Sequence, residues 1–462
     1  MKKTSRILAL VCVLLLMLSV LAGCGKSETP QTANDAPAQD KTSEPAETTA
    51  ETAAETAADD KPYVGKTIHI LMEDVPDTGY VQSLIPQFEE QTGIKVEVES
   101  ISYSTMHEKL AAQLIASTNT YDVMVVDYYW TGEFADAGWM YPLDDFIAAD
   151  NFDTSSYLDS IMAQNGLSDG VMYQLPFYNY AMCLVYNEKM WSDPELTAAY
   201  KEKYGTDLTP IDVSVEEYLQ EVEFISDYYG KDTLAGLVQQ GGRGDPIAME
   251  WLNWYFGMGG DWFDENGKSM LNSETAVKAA ELYKEAIENA APTGSVNFNL
   301  DDAQMTLASG GAASMINYNW QLPALNNMED SATAGQFALT YSPGHSSNVG
   351  SWGWAIPYNA ADPELSWQFL KWVESFDVAK ERALLGGAPT RSDVYNDADV
   401  LALYPYYSEV SDILNAGIGM PQVKDSNGMI EALGKALSEY VAGEKDAQTA
   451  LDEVAAFMDN MD

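Results

Sequence analysis

Between residues 67 and 126 the chain alternates two kinds of apolar pattern, and that order constrains the fold more than any other feature. A short apolar run, Thr67 to Met72, is followed by Val81, Leu84, Ile85 and Phe88 at helical spacing, Gly93 as a stop, and the alternating Ile94, Val96 and Val98. A second helical face of Met106, Leu110, Leu114 and Ile115 then feeds the apolar run Val123 to Val126. Strand periodicity interleaved with helix periodicity predicts βαβαβ, and such crossovers join parallel strands. In sheets of this kind ligands sit outside the carboxyl ends of the strands. Those ends carry Glu73-Asp74, Ser100 to Ser104, and Asp127-Tyr128-Tyr129-Trp130. They offer carboxylates, hydroxyls and aromatic rings, and lack the glycine-rich phosphate turn of nucleotide folds.

Farther along, Val213 to Tyr229 and Ser273 to Glu288 read as helices, with breaks at Gly241 to Pro246 and Gly257 to Gly260. Asn348 to Pro357 reads as an extended crossing, Pro363 to Phe376 as a helix rich in buried aromatics, and Gly386 to Thr390 as a loop crossing. Roughly four hundred residues can bury a sizeable core, expected here as two lobes.

The amino terminus carries Lys2, Lys3 and Arg6 before an uncharged run from Ile7 to Leu21, too short and wrongly flanked for a spanning helix. It reads as a secretory signal over residues 1–23. The sequence Leu21-Ala22-Gly23-Cys24 resembles the lipobox of bacterial lipoproteins, which implies cleavage before Cys24 and lipidation of its thiol. Residues 24–61 are mostly Thr, Ala, Glu, Pro and Ser with no large apolar side chain, a composition that cannot offset the cost of ordering. They are expected to form a disordered acidic tether with a reach of about 30 to 40 Å. Of the remaining cysteines, Cys12 leaves with the signal, so Cys183 has no partner for an internal disulfide. A formal net charge of -47 repels nucleic acid, and no basic stripe interrupts it.

Several blocks of the body match one family in order. Phe88-Glu89-Glu90-Gln91-Thr92-Gly93-Ile94-Lys95-Val96, Tyr121-Asp122-Val123 through Gly138-Trp139-Met140-Tyr141-Pro142-Leu143, and Leu175-Pro176-Phe177-Tyr178 come first. Gly259-Gly260-Asp261-Trp262-Phe263-Asp264, Ala312 to Trp320, Gly353-Trp354-Ala355-Ile356-Pro357 and Ala388-Pro389-Thr390-Arg391 follow. Together they resemble the extracellular solute-binding proteins of bacterial ATP-binding-cassette importers, in the maltose-binding and related sugar-binding class. The resemblance implies a two-lobed, type II periplasmic-binding-protein-like α/β fold, each lobe a mainly parallel sheet flanked by helices. The first lobe would comprise 62–175 with 357–386 and the second 182–348 with 391–462. Hinge crossings would lie near 175–182, 348–356 and 386–391. Ligand would bind between the lobes, and a hinge closure would present both to the permease subunits.

A sugar offers a weakly apolar face and a rim of hydroxyls, so a site for it needs flat rings beside carboxylates, amides and guanidinium groups. Trp320 is the first candidate, because it ends Met315 to Trp320 where relatives place a stacking tryptophan. Tyr129 and Trp130 follow the third strand, where the resemblance would put polar groups, which sets the pocket apart from a maltose site. Glu73 and Asp74 end the first strand, and Asn179 and Tyr180 lie at the first crossing. Arg243 and Asp245 flank Gly244 as a donor fork beside an acceptor, and read as an adhesion tripeptide they would be a chance match. Trp354, with Trp262 and Trp352 behind it, completes the set, each equally readable as core.

The rival reading is a glycoside hydrolase using Asp144-Asp145 or Asp301-Asp302, but with 71 acidic residues adjacent pairs arise from composition. His69, His107 and His345 are scattered, so no metal and no cofactor is expected. Asp264-Glu265-Asn266-Gly267 reads as a turn rather than a calcium loop, because Trp262 stands where the first ligand belongs. Cys183 lies in an apolar run and is expected to be inert. A ligand-sensing subunit for a membrane receptor shares the expected fold, as does an importer subunit for a non-sugar solute. The composite expectation is a non-catalytic carbohydrate-binding lipoprotein, monomeric, anchored through Cys24 to the outer face of the cytoplasmic membrane.

Overall fold

A computed structural model describes residues 62–328 and 331–461; the signal, Cys24 and the tether lie outside the described residues. The leading strand, β1 (Thr67–Glu73), buries Ile68, Ile70, Leu71 and Met72 completely. Helix α1 (Pro76–Thr92) starts with Pro76 in its first turn and turns Val81, Leu84, Ile85 and Phe88 inward. It ends at Gly93, whose φ of 74° is the left-handed conformation that closes a helix. β2 (Lys95–Ile101), α2 (Tyr103–Ile115) and β3 (Val123–Asp127) complete the unit. β1 pairs in parallel with both β2 and β3, with Ile70 opposite Val123 and Leu71 opposite Met124. Met106, Leu110 and Leu114 form the buried face of α2, whereas Ile115 is 70% exposed. One residue past Leu114, it is rotated off that face, contrary to the sequence reading.

The strand β4 (Gln174–Asn187) holds the two halves of the body together, and all fourteen of its residues are buried. β5 (Ser314–Tyr318), β6 (Phe337–Thr340) and β7 (Val349–Ala355) all pair with it. The first part of β4 runs beside β7, which also pairs with β3; the second part runs beside β5 and β6. Among the described residues these seven strands form one sheet, ordered β2-β1-β3-β7-β4-β5 with β6 also on β4, beside a two-stranded ribbon of Leu167–Ser168 and Val171–Met172. The mainly parallel arrangement expected of each lobe holds for β1 to β3. Every pairing of β4 is antiparallel, because its neighbours run back against a strand that carries the chain out of the first lobe.

Helices cover this sheet. α3 (Val215–Tyr229) begins with a reciprocal cap between Ser214 and Glu217, and α4 (Asp245–Gly257) buries Trp251, Trp254 and Tyr255. α5 (Glu274–Asn289) is capped by Ser273. The aromatic helix expected from 363 to 376 is α6 (Pro363–Val373), ending three residues early, and a second helix, α7 (Phe376–Leu384), follows it. Between them Glu374 turns fully inward, accepting hydrogen bonds from Trp354 Nε1 at 2.9 Å and Arg382 Nη2 at 2.8 Å.

Residues 391–462 do not join the second lobe as one block. α8 (Tyr407–Ala416) packs on helix Asp159–Gln164 as well as on β4, and the short helices at 392–403 pack on α7. Only α9 (Ser426–Val441) and α10 (Ala447–Met458) join α4 and α5. The apolar face of α8, with Val410, Ile413 and Leu414 buried, has partners on both sides and therefore bridges.

Candidate functional site

A cleft of about 510 Å³ opens where β1, β2 and β3 end. From this side Glu73, Asp74, Tyr103 and Asp127 reach it. Continuing the β1–β3 register sets Glu73 beside the last residues of β3, so Glu73 and Asp127 share one sheet edge. Tyr178 and Tyr180 of β4 and Trp352 of β7 form the floor. The opposite wall consists of Asp245 at the start of α4, Gln240, Asp301, and Tyr318 and Trp320 at the end of β5.

The rings come in pairs. Tyr318 and Trp320 stack with centroids 5.9 Å apart and planes 22° apart, and Tyr178 and Trp352 stack at 5.8 Å and 16°. Tyr180 meets Tyr318 edge-on at 5.4 Å. Flat apolar faces are thus fixed on the floor and on one wall, with carboxylates on both sides of them.

These carboxylates are electrostatically unusual. Recession from solvent pushes Glu73 up to about 7, helped by the nearby charges of Asp77, Asp74 and Asp245 and opposed by the hydrogen bond it accepts from the Tyr178 hydroxyl. Burial, then the charges of Glu73 and Asp245, holds Asp127 well above the usual carboxylate range; it is 3% exposed and its Oδ1 has no hydrogen-bond partner among the described residues. Desolvation raises Asp245 to about 6. None of the cleft-lining residues is Lys, Arg or His.

Of the sequence candidates, the structure brings together Glu73, Asp74, Tyr180, Asp245 and Trp320, together with Trp352 from the weaker group. The others sit elsewhere. Tyr129 and Trp130 enter a 3-10 turn that folds them behind the cleft wall, 2% and 1% exposed. Trp130 stacks under Tyr103 at 5.8 Å and its indole N–H reaches Asn427, while the Tyr129 hydroxyl meets that of Tyr103. Asn179 points to the face of β4 opposite Tyr178 and Tyr180, since alternate strand residues face opposite ways; its amide donates to Pro389 O and to Tyr395 Oη. Trp354 is wholly buried against Phe177, Phe369 and Glu374. Arg243 is exposed, because Gly244 at φ 95° turns the backbone between it and Asp245. Tyr103, Asp127, Tyr178 and Tyr318 were not among the candidates, although Asp127 ends a strand and Tyr178 stands two residues from Tyr180.

Residues 74–380 match the model of the bacterial extracellular solute-binding proteins, two thirds of the chain. The chain belongs to this family. Among curated relatives, a probable amino-acid ABC transporter periplasmic-binding protein of Sinorhizobium fredii is 21% identical, over 86% of this chain and 90% of its own. An erythritol/L-threitol-binding protein of Mycolicibacterium smegmatis is 22% identical, over 72% of each. Among solved structures, a solute-binding protein of Agrobacterium radiobacter in complex with ribitol superposes with a TM-score of 0.75 at 26% identity, over 86% of this chain and 99% of that one. Maltose-bound MalE3 of T. maritima gives 0.73 at 22%, over 85% and 99%.

As an extracellular solute-binding protein, the chain has its cleft where its two halves face each other across β4 and β7. Two other expectations concern groups outside that cleft. Asp264 Oδ1 accepts the backbone N–H groups of Asn266 and Lys268 at 2.8 and 2.9 Å, closing a turn. Cys183 is buried, and burial pushes its thiol far up. Among the described residues no helix is long and apolar enough to cross a membrane.

Proposed function

We propose that this chain is the lipid-anchored capture subunit of an ATP-binding-cassette importer for a carbohydrate or polyol. The observation that carries this reading is the alternation, in one cleft, of stacked aromatic pairs (Tyr318 with Trp320, Tyr178 with Trp352) and carboxylates at strand and helix ends. The rings match the C–H faces of a sugar, and the carboxylates accept its vicinal hydroxyls. The ribitol and maltose bound by structural relatives, and the erythritol or threitol of a curated one, support the same class. The reading includes no chemical step: ligand is held, the halves close over it, and a permease receives it as a monomer delivers it.

Titration of the purified protein with sugars, polyols, amino acids and short peptides, read by tryptophan fluorescence, tests this. A saturable change with a carbohydrate left intact after long incubation supports it, and slow cleavage of a glycoside would argue for a hydrolase instead. The S. fredii relative favours a second reading, an importer subunit for an amino acid, which the amino-acid arm examines. Anchoring is tested separately: Cys24→Ala should release the protein from the membrane fraction, and retention there would refute the lipid anchor.

A further inference from the structure

The charged side chains that line the cleft are all acidic, more of them than hydroxyl recognition alone requires. Glu73, Asp74 and Asp127 line it from one side and Asp245 and Asp301 from the other, with no cationic side chain among the lining residues. Asp127 is 3% exposed, and its Oδ1 lacks a partner among the described residues. Glu73 is partly satisfied by Tyr178, and Asp245 contributes its negative charge to the surroundings of both Glu73 and Asp127 across the cleft. Closing the two halves over an uncharged ligand would leave these carboxylates either protonated or repelling one another with water removed.

We propose that the captured solute carries a protonated amine, held between Glu73 and Asp127 on one side and Asp245 on the other. The proposal rests on the carbohydrate reading and narrows it to an amino sugar or amino polyol. An ammonium group supplies three N–H donors, and its charge favours the ionised, acceptor-only form of these carboxylates, so that each bond becomes charge-assisted. The Tyr178–Trp352 and Tyr318–Trp320 pairs add ring faces that attract a cation as well as stack on C–H groups. Among the described residues no three His, Cys, Asp or Glu side chains are placed to hold a metal ion, so an organic cation fits the geometry better than an inorganic one. The arrangement also gives a reason for closure. Without a cation, burial and mutual repulsion favour the protonated form of these carboxylates, and a cation between Asp245 and the Glu73/Asp127 pair lets them ionise and draws the two sides together.

The test is calorimetric titration of the purified protein with matched pairs at constant ionic strength: sorbitol against glucamine, and glucose against glucosamine. N-acetylglucosamine serves as the neutral size control, putrescine as the cation without a sugar, and calcium as the inorganic cation. The amine member of a pair is expected to bind at least about tenfold more tightly than its neutral partner. Asp245→Asn and, separately, Asp127→Asn should cut that preference about tenfold, the readout being the ratio of amine to neutral affinity within each variant and not the neutral affinity itself. Equal affinity within each pair overturns the amine assignment and leaves the carbohydrate reading standing. Calcium-dependent binding of the neutral sugar also overturns it. Binding of putrescine without any carbohydrate overturns the carbohydrate half, and silence to every probe overturns both.

Discussion

Glu73 accepts a hydrogen bond from the hydroxyl of Tyr178, joining the last residue of β1 to the floor strand β4. This bond fixes one carboxylate beside the Tyr178–Trp352 stack, so a polar and an aromatic surface are oriented by a single contact. Tyr178→Phe keeps the ring and removes the bond. Affinity for the preferred carbohydrate should fall about tenfold, with a change in stability of only about 1 kcal/mol. Calorimetric titration and thermal melting, run on the same sample, separate the two effects.

Trp320→Ala should lower carbohydrate affinity about ten- to a hundredfold while barely changing the melting temperature, since Trp320 is only partly buried at the cleft wall. A melting temperature that drops as far as the affinity would place this ring in the core instead.

Trp354→Ala should do the reverse. Its ring is wholly buried and its N–H binds Glu374, so the substitution opens a cavity and leaves a buried carboxylate short of a donor, costing about 3 to 5 kcal/mol. Denaturant unfolding measures this directly.

The contrast between these tryptophans shows where sequence reasoning succeeds. The β1-α1-β2-α2-β3 unit was legible because apolar period and length differ between strand and helix and Gly93 closes α1, just as Ser273 caps the start of α5 farther along. Side-chain direction was less legible. Asn179 and Tyr180 are consecutive in β4 and cannot both face the cleft, and alternation alone would have replaced Asn179 with Tyr178. Tyr129 and Trp130 required knowledge of the 3-10 turn that folds them under Tyr103, a tertiary contact that no local pattern encodes. The break at Glu374 likewise depends on Arg382 and Trp354 meeting it from separate elements.

Ligand-free stability should fall as pH rises from about 5 to 8. Glu73 is raised to about 7, Asp245 to about 6 and Glu250 to about 8, each chiefly by loss of solvent. Because the folded state holds these protons more tightly than the unfolded chain, their contribution is complete below the unfolded carboxylate range and lost as pH passes the folded values. Net charge of the same sign adds repulsion in that direction. Calorimetric melting across this window should show a decline; a rise would mean that these groups are ionised and paired in the folded protein.

Saturable binding of a carbohydrate or polyol to the purified protein, followed by tryptophan fluorescence and repeated with Trp320→Ala, tests the capture function. A saturable change with at least one intact sugar or polyol, weakened by Trp320→Ala, is the predicted result. Silence toward every carbohydrate alongside tight binding of an amino acid or peptide would contradict the account, leaving the fold and family in place with a different solute in the cleft.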